Sequence, residues 1–147
     1  GPVYELKWSP FLSDVFLSCS ADWTVKLWHQ DSPTPIYTFT SSTNSVNSIC
    51  WSPVSSTIFG CVHEGAVEVW DLRQSSLDPL IVNTPLQETK LSTISFALNS
   101  NSVLVGDSDG QINVFLLTGV GKQDEAEENH LAAIIEPNMA KQIKPRR

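Results

Sequence analysis

Few residues in this chain have types and spacing that could do chemistry. The three histidines, His29, His63 and His130, do not pair with a second ligand at metal-binding spacing. No Gly-x-x-x-x-Gly-Lys phosphate loop and no Gly-x-Ser-x-Gly nucleophile turn is present. Asp107-Ser108-Asp109-Gly110 begins like a calcium loop but lacks the closing glutamate, so no bound ion is expected. Cys19, Cys50 and Cys61 make an odd set without a Cys-x-x-Cys pair. Cys19 and Cys61 are assigned to one position of successive repeats, which suits buried structural thiols better than disulfides or metal ligands. Asp22, Glu64 and Asp109 stand at equivalent turn positions. Such recurrence suits a structural task, bonding turn amides, rather than a paired acid and base. No enzyme chemistry, metal or cofactor is expected.

The elements that position these residues recur. Trp8-Ser9-Pro10 returns as Trp51-Ser52-Pro53 after 43 residues, and Thr24-Val25-Lys26-Leu27-Trp28 returns as Ala66-Val67-Glu68-Val69-Trp70 after 42. A weaker third copy places Phe96 and Phe115 where tryptophans stood, 45 residues on. A period of about 40–45 residues built from short strands is the signature of a β-propeller blade.

Within the first copy, Val3–Trp8, Val15–Ser20, Thr24–Trp28 and Ile36–Thr40 read as strands, with apolar and polar residues alternating. Ser9-Pro10 starts a turn, because proline has no N–H for a central strand. The second copy has Val46–Trp51, Thr57–Val62, Ala66–Trp70 and Leu80–Val82. The third has Leu91–Phe96, Ser102–Gly106 and Gln111–Leu116, with no clear fourth strand. Asp109-Gly110 and Glu64-Gly65 are hairpin signals, since glycine accepts positive φ. Ala21-Asp22-Trp23 is the exception, with a bulky residue in the glycine's place. Trp8, Trp28, Trp51 and Trp70 are expected in the core.

The expected architecture is therefore all-β. It comprises about three four-stranded blades, near 1–42, 43–88 and 89–120, followed by a short helix and basic tail over 121–147. Propellers have four to eight blades, so three form an incomplete ring. The segment reads as the C-terminal part of a larger propeller that needs further blades or an adjoining chain for stability. Lys122–Glu136 predicts a helix, with Leu131, Ile134 and Ile135 at helical spacing and Pro137 as its stop. Packing on the last blade is the expected role of this helix, with partner docking or disorder as alternatives.

The chain has 147 residues and a net charge of −7, and residues 1–120 carry 4 basic and 11 acidic side chains. An acidic body repels phosphate backbones, so no nucleic-acid partner is expected. The basic end, Lys141, Lys144, Arg146 and Arg147, reads as a solvated terminus, with docking on an acidic surface such as a microtubule as the minority reading. No apolar run of about 18 residues occurs, and the start lacks the regions of a signal peptide. An intracellular protein with no membrane partner is the expectation.

The blocks resemble the WD-repeat family, in which a His, a Ser or Thr, an Asp and the Trp form a buried hydrogen-bonded set. Ser18, Asp22 and Trp28 match three of its members in the first repeat, and Trp70-Asp71 is the one literal Trp-Asp pair. Gly60 stands in the hydroxyl's place in the second repeat, and Val105 and Phe115 depart from the pattern in the third. The set is therefore expected to be missing from those two blades, leaving apolar packing to hold them.

A narrower resemblance is to dynein intermediate chains, closer to axonemal than to cytoplasmic ones. It is carried by Gly1-Pro2-Val3-Tyr4, Trp8-Ser9-Pro10-Phe11, the run Phe16 to Thr24 with its Asp22-Trp23-Thr24, Trp51-Ser52-Pro53 and Ser55-Ser56-Thr57-Ile58-Phe59. It covers roughly residues 1–118, and the inner-arm class is favoured over the outer-arm class. The resemblance implies a non-catalytic scaffold in the cytoplasm and cytoskeleton, at the axoneme of a cilium or flagellum. Its propeller would hold dynein heavy chain and meet other dynein subunits, with indirect microtubule association. Light-chain binding, which the family places in an N-terminal extension, is not expected of this segment. A general WD-repeat adaptor outside dynein is the alternative, and the Asp-Trp-Thr turn argues against it. Trp23, His63, Glu64 and Asp109 are the candidate partner-binding residues. Ser18, Asp22, Trp28, Trp70 and Asp71 are the candidate structural positions.

Overall fold

A computed structural model describes residues 1–119 and 127–142. Eleven strands form three antiparallel sheets. The first contains β1 (Val3–Trp8), β2 (Val15–Ser20), β3 (Val25–His29) and β4 (Tyr37–Phe39). The second contains β5 (Val46–Trp51), β6 (Ile58–His63), β7 (Ala66–Asp71) and β8 (Ile81–Asn83). The third contains β9 (Leu91–Phe96), β10 (Ser102–Asp107) and β11 (Ile112–Leu116), so it has three strands among the described residues, not four. In every sheet neighbours in sequence are neighbours in space. This all-β arrangement is that of consecutive propeller blades.

The turn from first to second strand shows why Trp-Ser-Pro recurs. Ser9 Oγ accepts the amides of Phe11 and Leu12 at 3.2 and 3.1 Å. Ser52 Oγ does the same for Val54 and Ser55, also at 3.2 and 3.1 Å. Each serine thus closes a turn whose proline has no N–H to offer.

Alternation along the strands builds two cores, one at each seam between sheets. The first joins Val15, Leu17, Val25, Leu27 and Phe39 of sheet one to Ile49, Trp51, Phe59 and Trp70 of sheet two. The second joins Ile58, Val62, Val67 and Val69 of sheet two to Ile94, Phe96, Val103 and Val105 of sheet three. Sheet two is covered on both faces, so β6 and β7 are buried throughout. Gly60 lies where β6 approaches sheet three. A Cβ there would stand 2.9 Å from Ile94 Cδ1 and 3.3 Å from Cys50 Sγ.

The innermost strands β1, β5 and β9 lie side by side and are cross-linked. Glu5 Oε2 accepts Ser48 Oγ and the Ile49 amide, both at 2.9 Å. Ser48 Oγ in turn accepts the Ile94 amide at 3.3 Å. Trp51 Nε1 donates to the Lys7 carbonyl at 2.9 Å, and Asn47 Nδ2 donates to the Leu91 carbonyl at 2.8 Å.

The helix α1 (Glu127–Gln142) corrects two expectations. Pro137 lies inside it rather than ending it. The helix also packs on the first core rather than on the last sheet, with Leu131 and Ile135 buried among residues of sheets one and two. Asn138 Nδ2 donates to the Tyr37 hydroxyl at 2.5 Å, and Arg73 Nη1 lies 3.3 Å from His130 Nδ1. An interior proline costs about 3 kcal/mol. Burying a leucine and an isoleucine recovers roughly 1.5–3 kcal/mol each. Tertiary contact therefore carries α1 through a residue that would stop an isolated helix. The expected helix start at 122–126 and the tail at 143–147 lie outside the described residues.

Trp8 is a further correction. It is 58% exposed, because no described residue stands in front of sheet one. Trp51 and Trp70 are buried as expected, and Trp28 is half-buried.

Candidate functional site

The hairpins of sheets one and three are the same turn. Ser20 N donates to the Thr24 carbonyl at 3.2 Å, and Asp107 N donates to the Gln111 carbonyl at 3.1 Å. The fourth position is Trp23 in one and Gly110 in the other, at φ of 74° and 81°. Among the described residues, Trp23 is the one non-glycine with positive φ. A left-handed conformation costs an L-residue roughly 1–2 kcal/mol.

Local bonds hold that conformation. Asp22 Oδ1 accepts the Thr24 amide at 3.1 Å and its hydroxyl at 2.6 Å. Asp22 Oδ2 meets Lys26 Nζ at 3.5 Å. The Thr24 hydroxyl, with the turn amide and Lys26, holds the Asp22 carboxyl below the usual range. Ser20 Oγ accepts the Asp22 amide at 3.2 Å and donates to the Pro2 carbonyl at 2.8 Å. Trp23 is 48% exposed, and its indole enters no hydrogen bond or ring contact among the described residues.

Glu64 and Asp109 lie at the same end of their sheets, also exposed, but do not repeat Asp22's work. Glu64 Oε1 meets Lys90 Nζ at 3.4 Å. In its hairpin the Gly65 amide bonds His63 Nδ1 instead, at 3.3 Å. In sheet three Asp107 Oδ1 takes the amides of Asp109 and Gln111, each at 3.0 Å. The expected amide-bonding role therefore holds at Asp22 and passes to neighbours elsewhere.

The sheet-two hairpin pairs His63 directly with Ala66 and is one residue shorter. The repeats are therefore 43 residues apart before this turn and 42 after it. With that shift, the residue equivalent to Ser18 is Cys61, not Gly60, since Ser18 faces Lys26 and Cys61 faces Glu68. Cys19 then matches Val62, which corrects the pairing of Cys19 with Cys61.

Sheet one has part of the expected polar set. Trp28 Nε1 donates to Ser18 Oγ at 3.0 Å, and the Trp28 ring stacks on Phe16 with centroids 6.1 Å apart. Sheet two was expected to rely on apolar packing. It has a polar set of its own, centred on Glu68. Trp70 Nε1 donates to Glu68 Oε2 at 3.2 Å, and Cys61 Sγ lies 3.6 Å from that oxygen. His63 Nε2 is 3.2 Å from Glu68 Oε1, which also accepts the Ser41 hydroxyl. Burial pushes the Glu68 carboxyl up, but His63, Ser41 and Trp70 outweigh it and hold it below the usual range. His63 is 6% exposed, so the structure places this partner-binding candidate inside the blade. Asp71, also buried, takes Thr57 Oγ1 at 2.9 Å and the Arg73 amide at 3.0 Å. Glu68 was missed because Lys26 stands at its place in the first repeat. The signal was an acid set between two valines, Val67 and Val69, in β7.

The profile for the WD domain, G-beta repeat, matches residues 1–29 and 33–71. A dynein axonemal intermediate chain 4 from Xenopus laevis is 56% identical over 109 residues, covering 74% of this chain and 15% of its own length. The chain of the same name from Rattus norvegicus is 49% identical over 126 residues, covering 86% and 16%. The chain belongs to the dynein intermediate chain family. A 70 kDa intermediate chain of the flagellar outer arm from Chlamydomonas reinhardtii is 34% identical over 142 residues, covering 92% and 24%. The chain thus spans less than a quarter of the length of each of these relatives.

In this dynein intermediate chain segment the thiols are interior. All three cysteines are free and buried. Burial pushes Cys19 up to about 11 and Cys50 up to about 12, and it raises Cys61 as well. None is suited to nucleophilic work at neutral pH. Among the described residues, apolar side chains are exposed along two strands, β1 and β11. Val3, Tyr4, Leu6 and Trp8 project from β1, and Ile112, Val114 and Leu116 from β11. Among the described residues no helix is long and apolar enough to cross a membrane.

Proposed function

We propose that this segment is a non-catalytic scaffold of an axonemal dynein, in the cytoskeleton of a cilium or flagellum. Its blades bind dynein heavy chain and support assembly of the motor with other dynein subunits. Contact with microtubules is indirect, through that assembly. The observation that carries this reading is Trp23, exposed and held at φ 74° in the Asp-Trp-Thr turn. Strained backbone persists where surroundings over-determine it, and such residues cluster at binding sites. Tryptophan is also enriched among interface hot spots. Glu64 and Asp109 flank this docking end. The apolar faces of β1 and β11 meet further blades or an adjoining chain, making residues 1–120 part of a larger propeller. The inner arm is favoured over the outer arm as the position, and the relative named for the outer arm is the more distant, 34% identical against 56% for the Xenopus laevis chain, whose name gives no arm.

The test is co-precipitation of dynein heavy chain with the Trp23→Gly variant. Weakened capture with unchanged folding is the expected result. Equal capture removes Trp23 from the interface, and no capture by the unaltered chain favours an adaptor outside dynein.

A further inference from the structure

The seam between sheets one and two ends, on the side of the β1–β2 turn, in an apolar surface formed by Leu12, Ile36, Tyr37 and Leu72. The occupant of that surface is α1, although α1 follows sheet three in the chain. It reaches the outermost strand of sheet one through Asn138 and Tyr37, and the segment after β7 through His130 and Arg73. Leu131 and Ile135, four residues apart, enter the seam between these two polar contacts. This is the spacing with which an amphipathic helix seats in a groove.

Two features make α1 separable from the sheets. The ladders of all three sheets are complete without it, since each strand pairs with a sheet neighbour and not with the helix. Pro137, inside α1, leaves the Ala133 carbonyl without its helical donor. The helix is therefore formed by its seat, whereas the sheets are formed by each other.

We propose that this end of the seam is a helix-receiving groove and that residues 127–142 are its reversible occupant. The latch joins the outer corners of the first two sheets and opens without unfolding them.

Hydrogen exchange read by mass spectrometry on the dilute chain tests this. Amides of α1 are expected to exchange at least about 100-fold faster than those of β2 and β6, as local opening requires. Pro137→Ala restores the missing bond and is expected to slow exchange in α1 by on the order of 100-fold, with β2 and β6 unchanged. Leu131→Asp is expected to release α1 while the sheets keep their protection. A synthetic peptide of residues 127–142 should then restore protection around Tyr37 and Leu72. Exchange of α1 in step with β2 and β6, or failure of the peptide to bind, overturns the proposal. If Leu131→Asp abolishes folding, α1 is integral rather than a latch, and an unchanged rate in Pro137→Ala leads to the same conclusion.

Discussion

Trp23 and Gly110 occupy one position of one turn, at φ 74° and 81°, in sheets whose hairpins close with the same backbone bond. The glycine adopts that conformation freely, and the tryptophan is held there by Asp22, Thr24 and Ser20. The two residues separate a turn's structural requirement from the side chain placed on it. Trp23→Gly is therefore expected to leave the blade folded and to raise its stability by up to about 1 kcal/mol. Chemical denaturation measures this, and a loss of stability would mean that the indole packs on the protein rather than facing a partner.

Acid should weaken the second sheet through Glu68. Hydrogen bonds from His63, Ser41 and Trp70 hold its carboxyl below the usual glutamate range in the folded chain, against the opposing effect of burial. A lowered folded value means that stabilisation is complete above the unfolded value and is lost as pH falls through the folded one. Between neutral pH and about pH 3 the unaltered chain should lose stability more steeply than Glu68→Gln. Parallel urea midpoints for the two proteins across that range would remove Glu68 from the account. At neutral pH, Glu68→Ala should cost about 3–5 kcal/mol, because it strands the Trp70 indole N–H and His63 in the interior.

The three thiols should be silent in the folded chain. With Cys19 at about 11 and Cys50 at about 12, the thiolate fraction at neutral pH is negligible. Alkylation at pH 7.5 is expected to appear only on addition of denaturant. Labelling of any cysteine before unfolding would show that its seam opens.

The open faces should make the isolated chain associate. Trp8 and Leu6 on one end and Val114 and Leu116 on the other are each more than half exposed, and β11 carries no charge to guard its edge. Sedimentation is expected to show concentration-dependent association, reduced by Val114→Lys and by Trp8→Lys. A cooperative melt of a monomer at every concentration would falsify the dependence on further blades or a partner.

Close packing at Gly60 should be sensitive to one methyl group. A Cβ there meets Ile94 Cδ1 at 2.9 Å, so Gly60→Ala is expected to cost about 1–3 kcal/mol. Ile94→Val in the same chain should recover part of that loss. Additive effects of the two substitutions would show that the clash lies elsewhere.

The strands were legible because their determinants are local. Val15–Ser20 and Leu91–Phe96 show alternation and turn residues within a few positions of each other, and the structure has strands with those bounds. The one-residue deletion in the Glu64-Gly65 hairpin was also present, as the change from 43 to 42 in the repeat spacing. Its consequence, that Cys61 rather than Gly60 faces Glu68, needed the strand register.

What the sequence determined by itself was the repeat, its strands, the likeness to dynein intermediate chains and the misfit of Trp23. These follow from residue identity at short range. Tertiary structure decided that Trp8 is exposed, that Glu68 gathers Ser41, Cys61, His63 and Trp70, and that α1 continues past Pro137 on the first seam. Each of these depends on groups far apart in the chain, or on which face of a sheet is covered. Burial and hydrogen-bond partners are properties of that assembly, and they reverse local preferences when the energy of packing exceeds the cost of a misplaced charge or proline.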